Sequence, residues 1–134
     1  MNIKLVKSKS TDSKFLYRLR NSFEIRATSI KKKKLSLKEH TKWFSLVRKN
    51  KNYNIYTINF NSKKIGYIRT FKSNQNNLIS IALEKKYRNR GFGNKSLLIF
   101  EKKKKLKNLT AHVLKNNSRS LYFFFSCNYY IESE

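Results

Sequence analysis

The 134-residue sequence contains no proline, one cysteine and three glycines. The single cysteine, Cys127, excludes an internal disulfide and fits a reducing cytoplasm. No apolar run approaches the roughly 18 residues that a membrane span needs, and the start, MNIKLVKSKS, lacks the apolar core of a secretory signal. Hydrophobic residues still make up 39% of the chain. We therefore expect one cytoplasmic, folded domain over residues 1–134.

Acidic residues are also scarce, with 7 against 32 lysines and arginines and a formal net charge of +25. One interpretation is a nucleic-acid-binding face, since clustered basic side chains release counterions from phosphates. The other is a compositional skew toward lysine that serves solvation, because arginine is the residue suited to planar phosphate contacts. We favour the second interpretation, in which the charge also favours polyanionic small ligands and a nucleic-acid partner is not expected.

The hydrophobic pattern predicts the element order β α α β β β α β α β, which is typical of a mixed α/β layer fold. Predicted strands cover residues 3–7, 54–60, 65–71, 78–83, 109–114 and 128–132. The second and third form a hairpin through NSKK. The fourth, LISIAL, is apolar enough to be covered on both faces.

Helix-start signals precede the predicted helices. Thr11 and Asp12 are expected to cap the first helix, and Ser36 with Glu39 forms a capping box at the second. The lysines at 31–34 are expected to form a loop between these two helices. Residues predicted to face the core are Phe15, Leu16 and Leu19 of the first helix and Leu37, Phe44 and Val47 of the second.

Two of the three glycines stand in YRNRGFGNK, between the fourth strand and a helix. Glycine permits positive φ and close approach to the backbone. Amides of a helix's first turn carry partial positive charge and bind phosphates, and Arg88 and Arg90 add full charges beside them. The motif predicts a phosphate or pyrophosphate pocket, and the alternative is an ordinary tight turn.

Two familiar phosphate motifs do not match this stretch. A nucleotide P-loop needs a glycine, four intervening residues and then Gly-Lys-Ser/Thr, and this pattern is absent. A dinucleotide-binding fingerprint needs a third glycine, at the position where this chain has Ser96. That fingerprint also follows an early strand, whereas this stretch follows the fourth. Both nucleotide-binding interpretations are therefore weak.

The run Arg88-Asn89-Arg90-Gly91-Phe92-Gly93 resembles the Arg/Gln-x-x-Gly-x-Gly/Ala motif of the GNAT superfamily of N-acetyltransferases. The apolar strand before it, the helix after it and VLKNNSRSLYFFF further on resemble the same family. The resemblance implies a GNAT-like, three-layer α/β/α acyl-CoA N-acyltransferase fold, with acetyl-CoA in a V-shaped gap between the fourth and fifth strands. It implies these cofactor contacts: Ile81, Leu83, Arg88, Asn89, Arg90, Gly91, Phe92, Gly93, Asn94, Asn117 and Phe124.

The N-terminal half, LRNSFEIRATS followed by LSLKEHTKWF, is similar to the branch that acetylates amino groups on nucleotide-activated sugars. The nearest likeness is to the UDP-4-amino-sugar N-acetyltransferases of pseudaminic acid biosynthesis. Enzymes that acetylate ribosomal-protein N-termini share a looser version, and an RNA-binding module is the alternative from another class. Expected substrate contacts are Arg20, Asn21, Arg26, His40 and Trp43, with Arg69 interpreted as a surface residue.

Acetyl transfer to an amine needs a base for the amine proton and stabilisation of the oxyanion, but no covalent enzyme intermediate and no metal. His112, on the predicted fifth strand, is the expected base. Ser80 is a possible proton relay through water. Relatives often protonate the thiolate with a Tyr where this chain has Phe124. Either another group such as Tyr129 or water serves instead, or the thiolate leaves unaided. Cys127 is expected to pack rather than react.

The family usually continues with a hairpin of two further strands, where this sequence ends at NYYIESE. We therefore expect a shortened C-terminus. The missing strand leaves an exposed sheet edge that favours a homodimer.

Overall fold

The computed structural model describes residues 2–22 and 34–133. Within these residues, five strands and four α-helices follow one another in the order β1, α1, α2, β2, β3, β4, α3, β5, α4. Their bounds are β1 Ile3–Lys7, α1 Ser13–Arg20, α2 Leu37–Lys49, β2 Tyr53–Phe60, β3 Lys63–Ser73, β4 Asn76–Leu83, α3 Phe92–Lys104, β5 Leu109–Thr110 and α4 Ser118–Ser126. Arg26 and most of the predicted lysine loop lie outside the described residues.

The strands form one sheet in the order β1-β2-β3-β4-β5. Neighbours pair antiparallel except β4 and β5, which are parallel. The predicted β2–β3 hairpin is confirmed. Its turn places Asn61 and Ser62 at φ 50° and 68°, left-handed values that asparagine tolerates better than most residues.

Helices cover both faces of the sheet, which confirms the three-layer α/β/α architecture. On one face, α1 and α2 pack a cluster that includes Phe15, Leu16, Leu19, Phe44, Val47, Ile55, Tyr67 and Ala82. On the other face, α3 contributes Leu97 and Phe100 to a second cluster, which includes the strand residues Ile58, Ile65, Ile68 and Ile79. Residues of β4 belong to both clusters, so the prediction that this strand is covered on both faces is also confirmed.

The predicted capping box at α2 is confirmed. The Glu39 amide donates to the Ser36 hydroxyl at 3.1 Å, and the Ser36 amide donates to the Glu39 carboxylate at 3.4 Å. Leu37 is nevertheless 44% exposed. The prediction that it faces the core was wrong because it occupies the first position of α2, beyond the part of the helix that packs on α1 and the sheet.

Asp12 precedes α1 without capping it. Its carboxylate instead accepts from the Lys9 amide at 2.8 Å and pairs with Lys64 of β3 at 2.7 Å. The predicted cap was wrong because the ammonium of Lys64 and a preceding amide compete for the same oxygens.

The predicted strands near the C-terminus needed the largest correction. β5 stops at Thr110 rather than residue 114, and residues 128–132 form no strand. Asn128 has φ 69°, and the Tyr129 amide bonds back to the Phe124 carbonyl at 2.9 Å. This turn folds the Tyr129 ring onto Phe124, with 5.1 Å between centroids, so the segment is held against α4.

Candidate functional site

The strands β4 and β5 separate soon after they meet. They pair only at Asn77↔Leu109 and Leu78↔Thr110, whereas β4 continues to Leu83. The Asn77 amide donates across to the Asn108 carbonyl at 2.9 Å. Because main-chain groups alternate sides along a strand, those of Ile79, Ile81 and Leu83 face the side that β5 has left. The result is a strand edge available to an extended ligand.

The glycine turn lies at the end of this edge. Gly91 has φ 84° and is the N-cap of α3, a left-handed conformation that glycine adopts without strain. Asn89 is also left-handed, at φ 59°. The amides of Phe92, Gly93 and Asn94 have no carbonyl partner within the helix, and Gly91 has no side chain to cap them. Such a group of amides is an anion-binding arrangement.

Both arginines of the motif brace this turn. Arg88 Nε donates to the Leu83 carbonyl at 3.0 Å, and Arg90 Nη1 donates to the Lys86 carbonyl at 3.0 Å. The Arg90 guanidinium also lies 5.2 Å from the Phe92 ring centroid. Two positive charges are thus fixed at the turn by its own carbonyls.

Aromatic packing holds the turn from below. Phe92 is 2% exposed and makes edge-to-face contacts with Phe60 and Tyr87, at 4.7 and 5.5 Å between centroids. Only the main chain of Phe92 can therefore face a ligand. Gly93 serves close packing: a Cβ there would lie 2.9 Å from Phe123 Cε1 of α4.

The helix α4 is tied to this region by polar contacts. Asn117 caps it, accepting from the Ser120 amide at 3.2 Å. The Asn94 side chain donates to the Ser126 hydroxyl at 2.8 Å and to Cys127 Sγ at 3.4 Å. Burial raises the pKa of the Cys127 thiol, which makes it a poor nucleophile at neutral pH.

Phe124 has no hydroxyl that could protonate a thiolate. The hydroxyl of the neighbouring Tyr129 is already engaged in a hydrogen bond. This hydroxyl donates to the Glu101 carboxylate at 3.4 Å. Burial and the charge of Glu101 raise the pKa of Tyr129 well above its usual range. This phenol holds its proton too firmly to release it readily to a thiolate.

On the opposite face of the sheet, four of the five predicted substrate residues lie on α1, α2 or directly after α1. The Arg20 guanidinium lies 4.3 Å from the Trp43 ring centroid, and its Nη1 lies 3.2 Å from His40 Nδ1. Asn21 bridges the helices: Oδ1 accepts from the Leu35 amide at 2.8 Å, and Nδ2 donates to the Tyr17 carbonyl at 3.2 Å. Arg26 is outside the described residues.

His40 is 0% exposed and stacks on Phe44 at 5.7 Å. Burial, with the positive charge of Arg20, lowers the pKa of His40 from 6.5 to about 4, while the Ser13 carbonyl acts weakly the other way. Since arginine can only donate, His40 Nδ1 is the acceptor and the neutral ring carries its proton on Nε2. His40 orients Arg20 and is not accessible to a substrate.

Arg69 of β3, interpreted from the sequence as a surface residue, belongs to this cluster. Its guanidinium lies 5.4 Å from the Trp43 ring centroid, and it pairs across the sheet with Ser80 of β4. The signal in the sequence was its position two residues after Tyr67, a core residue, because alternate residues of a strand share a face.

Of the two candidate catalytic residues, Ser80 lies on the part of β4 beyond its pairing with β5, and His112 follows the end of β5. His112 is exposed and lies beyond the end of β5, so the expectation that it is a strand residue was wrong.

Two surface cavities, of about 230 and 290 Å³, lie elsewhere. The larger one is lined partly by Lys7, Arg48, Lys49, Lys51 and Lys104. None of the candidate site residues lines either cavity. Within the described residues no three metal-ligating side chains are gathered, and no described helix has the length and apolarity to cross a membrane.

Residues 15–129 match the acetyltransferase (GNAT) family. A domain from Methanocaldococcus jannaschii superposes with a TM-score of 0.83 at 24% identity, covering 99% of this chain and 91% of that one. A spermidine N-acetyltransferase from Vibrio cholerae, in complex with CoA and spermine, gives 0.84 at 16% identity, with coverage of 98% and 82%. The aminoglycoside acetyltransferase AAC(6')-Ib, in complex with coenzyme A, gives 0.80 at 13% identity, with coverage of 98% and 86%. No curated protein sequence matches the chain.

Proposed function

This chain belongs to the acetyltransferase (GNAT) family, and from that premise we propose that it moves an acetyl group from acetyl-CoA to a primary amine on a nucleotide-activated amino sugar. The observation that carries the proposal is the divergence of β4 from β5 after Leu78, with the helix start at Gly91 placed at the end of the freed edge. A diphosphate at the turn and an extended arm along the strand fit these two features together.

In this proposal the coenzyme diphosphate binds the amides of the first turn of α3, which begins at Phe92. Arg88 and Arg90 add positive charge beside the diphosphate. Asn89 and Asn94 contribute main-chain groups on the two sides of the glycine turn. The pantetheine arm runs along the main chain of Ile81 and Leu83, although the Leu83 carbonyl already accepts from Arg88. Asn117 and Phe124 border the arm from the side of α4.

The transfer takes place by direct attack in a ternary complex. The amine nitrogen attacks the thioester carbonyl carbon, the carbon–sulfur bond breaks, and the proton lost from nitrogen passes to a base. His112, or Ser80 through water, takes that proton. Water protonates the departing thiolate, because Phe124 has no hydroxyl and Tyr129 is committed to Glu101.

The choice of a nucleotide-linked amino sugar is supported by the likeness of the segments around Arg20 and Trp43 to enzymes of that branch. Acetylation of a protein N-terminus is the alternative within the same fold. A strongly basic enzyme, at +25, is poorly suited to ribosomal proteins that are themselves basic. The single cysteine supports action in the reducing cytoplasm, and a homodimer through the β5 edge stays a prediction.

Thermal unfolding in the presence of acetyl-CoA tests the cofactor site. A ligand that binds only the folded state raises the melting temperature with its concentration. We expect this rise in the unmodified protein and its loss in Gly91→Glu, where a carboxylate would fill the turn. Gly91→Asn is the matched control, since asparagine tolerates positive φ and adds no charge. If acetyl-CoA does not raise the melting temperature of the unmodified protein, the proposal has no support.

A second candidate, RNA binding, is favoured only by the net charge and the lysine-lined cavity. It predicts an affinity for RNA that falls steeply with salt and that is indifferent to Gly91→Glu. Filter binding of a single-stranded RNA at two salt concentrations, with both proteins, separates the two functions.

A further inference from the structure

We propose that Arg20 of α1 and Arg69 of β3, which both lie beside Trp43 of α2, form a binding site for a phosphate group of the acceptor substrate. This inference rests on the proposed acetyl transfer and assigns its acceptor a charge class. It also gives Arg69 a role in selecting the substrate.

The geometry brings the two guanidinium groups to one indole. They lie 4.3 and 5.4 Å from the Trp43 ring centroid, although they come from α1 and β3. All three side chains are half-buried. Arginine is suited to bidentate phosphate contacts, and stacking on an aromatic ring leaves its donor edge available.

Among residues 2–22 and 34–133, no carboxylate forms an ion pair with either guanidinium. The one ion pair in these ranges joins Lys64 and Asp12. Burial lowers the pKa of Arg20, with the Tyr67 hydroxyl acting in the opposite sense and the charge of Arg69 lowering it further. Two like charges brought together at a partly desolvated site are unfavourable by themselves. A bound dianion would offset that repulsion.

Arg20 is held in place before any ligand arrives. Its Nη1 donates to the neutral ring of His40, which is fully buried. His40 therefore acts as a positioning residue for this guanidinium, and the remaining donors of Arg20 can meet a ligand without first being ordered.

The site also lies where an acceptor would be placed. Arg69 pairs with Ser80, on the part of β4 that β5 has left. A phosphate at Arg69 would put the rest of the acceptor beside the strand edge assigned to the thioester. The same charges oppose polyamines, whose cationic groups would meet two guanidiniums.

Trp43 is the only tryptophan in the chain, so its fluorescence reports on this site alone. We would titrate the protein with UDP, and with uridine as the uncharged counterpart, using excitation above the uridine absorption band. Both titrations are repeated in saturating CoA, which occupies the diphosphate site at Gly91. Calorimetric titration of UDP in saturating CoA provides a second measurement.

We expect a saturable change with UDP and none with uridine, and the change should persist in CoA. Arg20→Gln and Arg69→Gln should each weaken UDP binding at least about tenfold, equivalent to about 1.4 kcal/mol. Arg69→Lys, which keeps the charge but not the planar fork, should fall between Arg69→Gln and the unmodified protein. Arg18→Gln, an exposed arginine of α1, should bind as the unmodified protein does.

Three results would overturn the site: neither fluorescence nor heat responds to UDP, CoA displaces the UDP, or the Arg18 variant loses as much affinity as the other two. Each variant is checked for its thermal shift with acetyl-CoA. A protein that binds acetyl-CoA but not UDP keeps the proposed reaction and rejects this acceptor class. A protein that binds UDP but not acetyl-CoA keeps the phosphate site and rejects the proposed acetyl transfer.

Discussion

Arg20 donates a hydrogen bond to His40, with 3.2 Å between Nη1 and Nδ1, and this contact fixes the imidazole as neutral. The two residues lie on neighbouring helices, α1 and α2, and the imidazole is completely buried. Protonation of His40 would place a second positive charge against Arg20 inside the core.

The first prediction follows from the lowered pKa of His40, about 4 when folded against 6.5 ordinarily. Between these values the unfolded chain binds a proton that the folded chain does not, so stability rises with pH across this window. The contribution is complete above pH 6.5 and is lost as pH falls toward 4, amounting to roughly 3 kcal/mol. Denaturant unfolding of the unmodified protein between pH 7 and 4 measures it.

The variant His40→Gln should lower stability at pH 7 and flatten this dependence on pH. His112→Gln, at the other histidine of the chain, is the matched control and should keep it, because this substitution leaves His40 and its contact with Arg20 in place. Burial would raise the pKa of Asp12, but its contacts with Lys64 and Lys9 outweigh that effect and lower it, so the comparison with His40→Gln is what isolates the histidine contribution. An equal slope in His40→Gln and the unmodified protein would contradict the assignment.

The second prediction concerns the contact between Gly93 and Phe123. Alanine favours a helix over glycine by about 1 kcal/mol, yet its Cβ would lie 2.9 Å from the Phe123 ring. We expect Gly93→Ala to destabilise the protein by about 1 to 2 kcal/mol, as overpacked substitutions do. Chemical denaturation of both single variants and of Gly93→Ala with Phe123→Leu completes a double-mutant cycle. Because leucine vacates the ring position, the combined loss should be smaller than the sum, and strict additivity would argue against the contact.

The sequence predicted those features correctly that depend only on residues close together in the chain. The capping box of Ser36 and Glu39 satisfies amides within four residues, and Gly91 supplies a left-handed φ at a junction that both neighbouring patterns indicate. The opening between β4 and β5 was expected from the family resemblance. Its extent, two paired positions, depends on where β5 stops.

The errors arose where the outcome depends on distant partners. LTAHVL has the alternation of a strand, but a strand needs a paired neighbour, and β4 accepts only Leu109 and Thr110. Asp12 is of a residue type that commonly caps helices, but it forms an ion pair with Lys64, which lies 52 positions later in the β2–β3 hairpin. The alternation along β3 places Arg69 on the same face as Tyr67, but it does not indicate the contact with Trp43, a residue of α2.

The third prediction tests the proposed base. His112 is exposed and follows the end of β5, and no other described histidine has access to a ligand. His112→Ala should retain the thermal shift with acetyl-CoA and lower kcat by about 10²-fold, the usual contribution of a general base. Thiol release at neutral pH measures the rate. Turnover equal to that of the unmodified protein would remove His112 from the reaction and leave Ser80 with water as the route for the proton.

The fourth prediction concerns how the thiolate leaves. The Tyr129 ring packs on Phe124, but its hydroxyl donates to Glu101 at 3.4 Å, and burial with that carboxylate raises its pKa above the usual range. An acid of this kind gives up its proton poorly, so Tyr129→Phe should leave kcat nearly unchanged while it lowers stability by about 1 kcal/mol through the lost hydrogen bond. Tyr122→Phe, at a tyrosine that is 77% exposed, should change neither quantity. If Tyr129→Phe instead slowed turnover by about 10²-fold with acetyl-CoA binding intact, the hydroxyl would have to leave Glu101 during the reaction, and the tyrosine rather than water would be the acid.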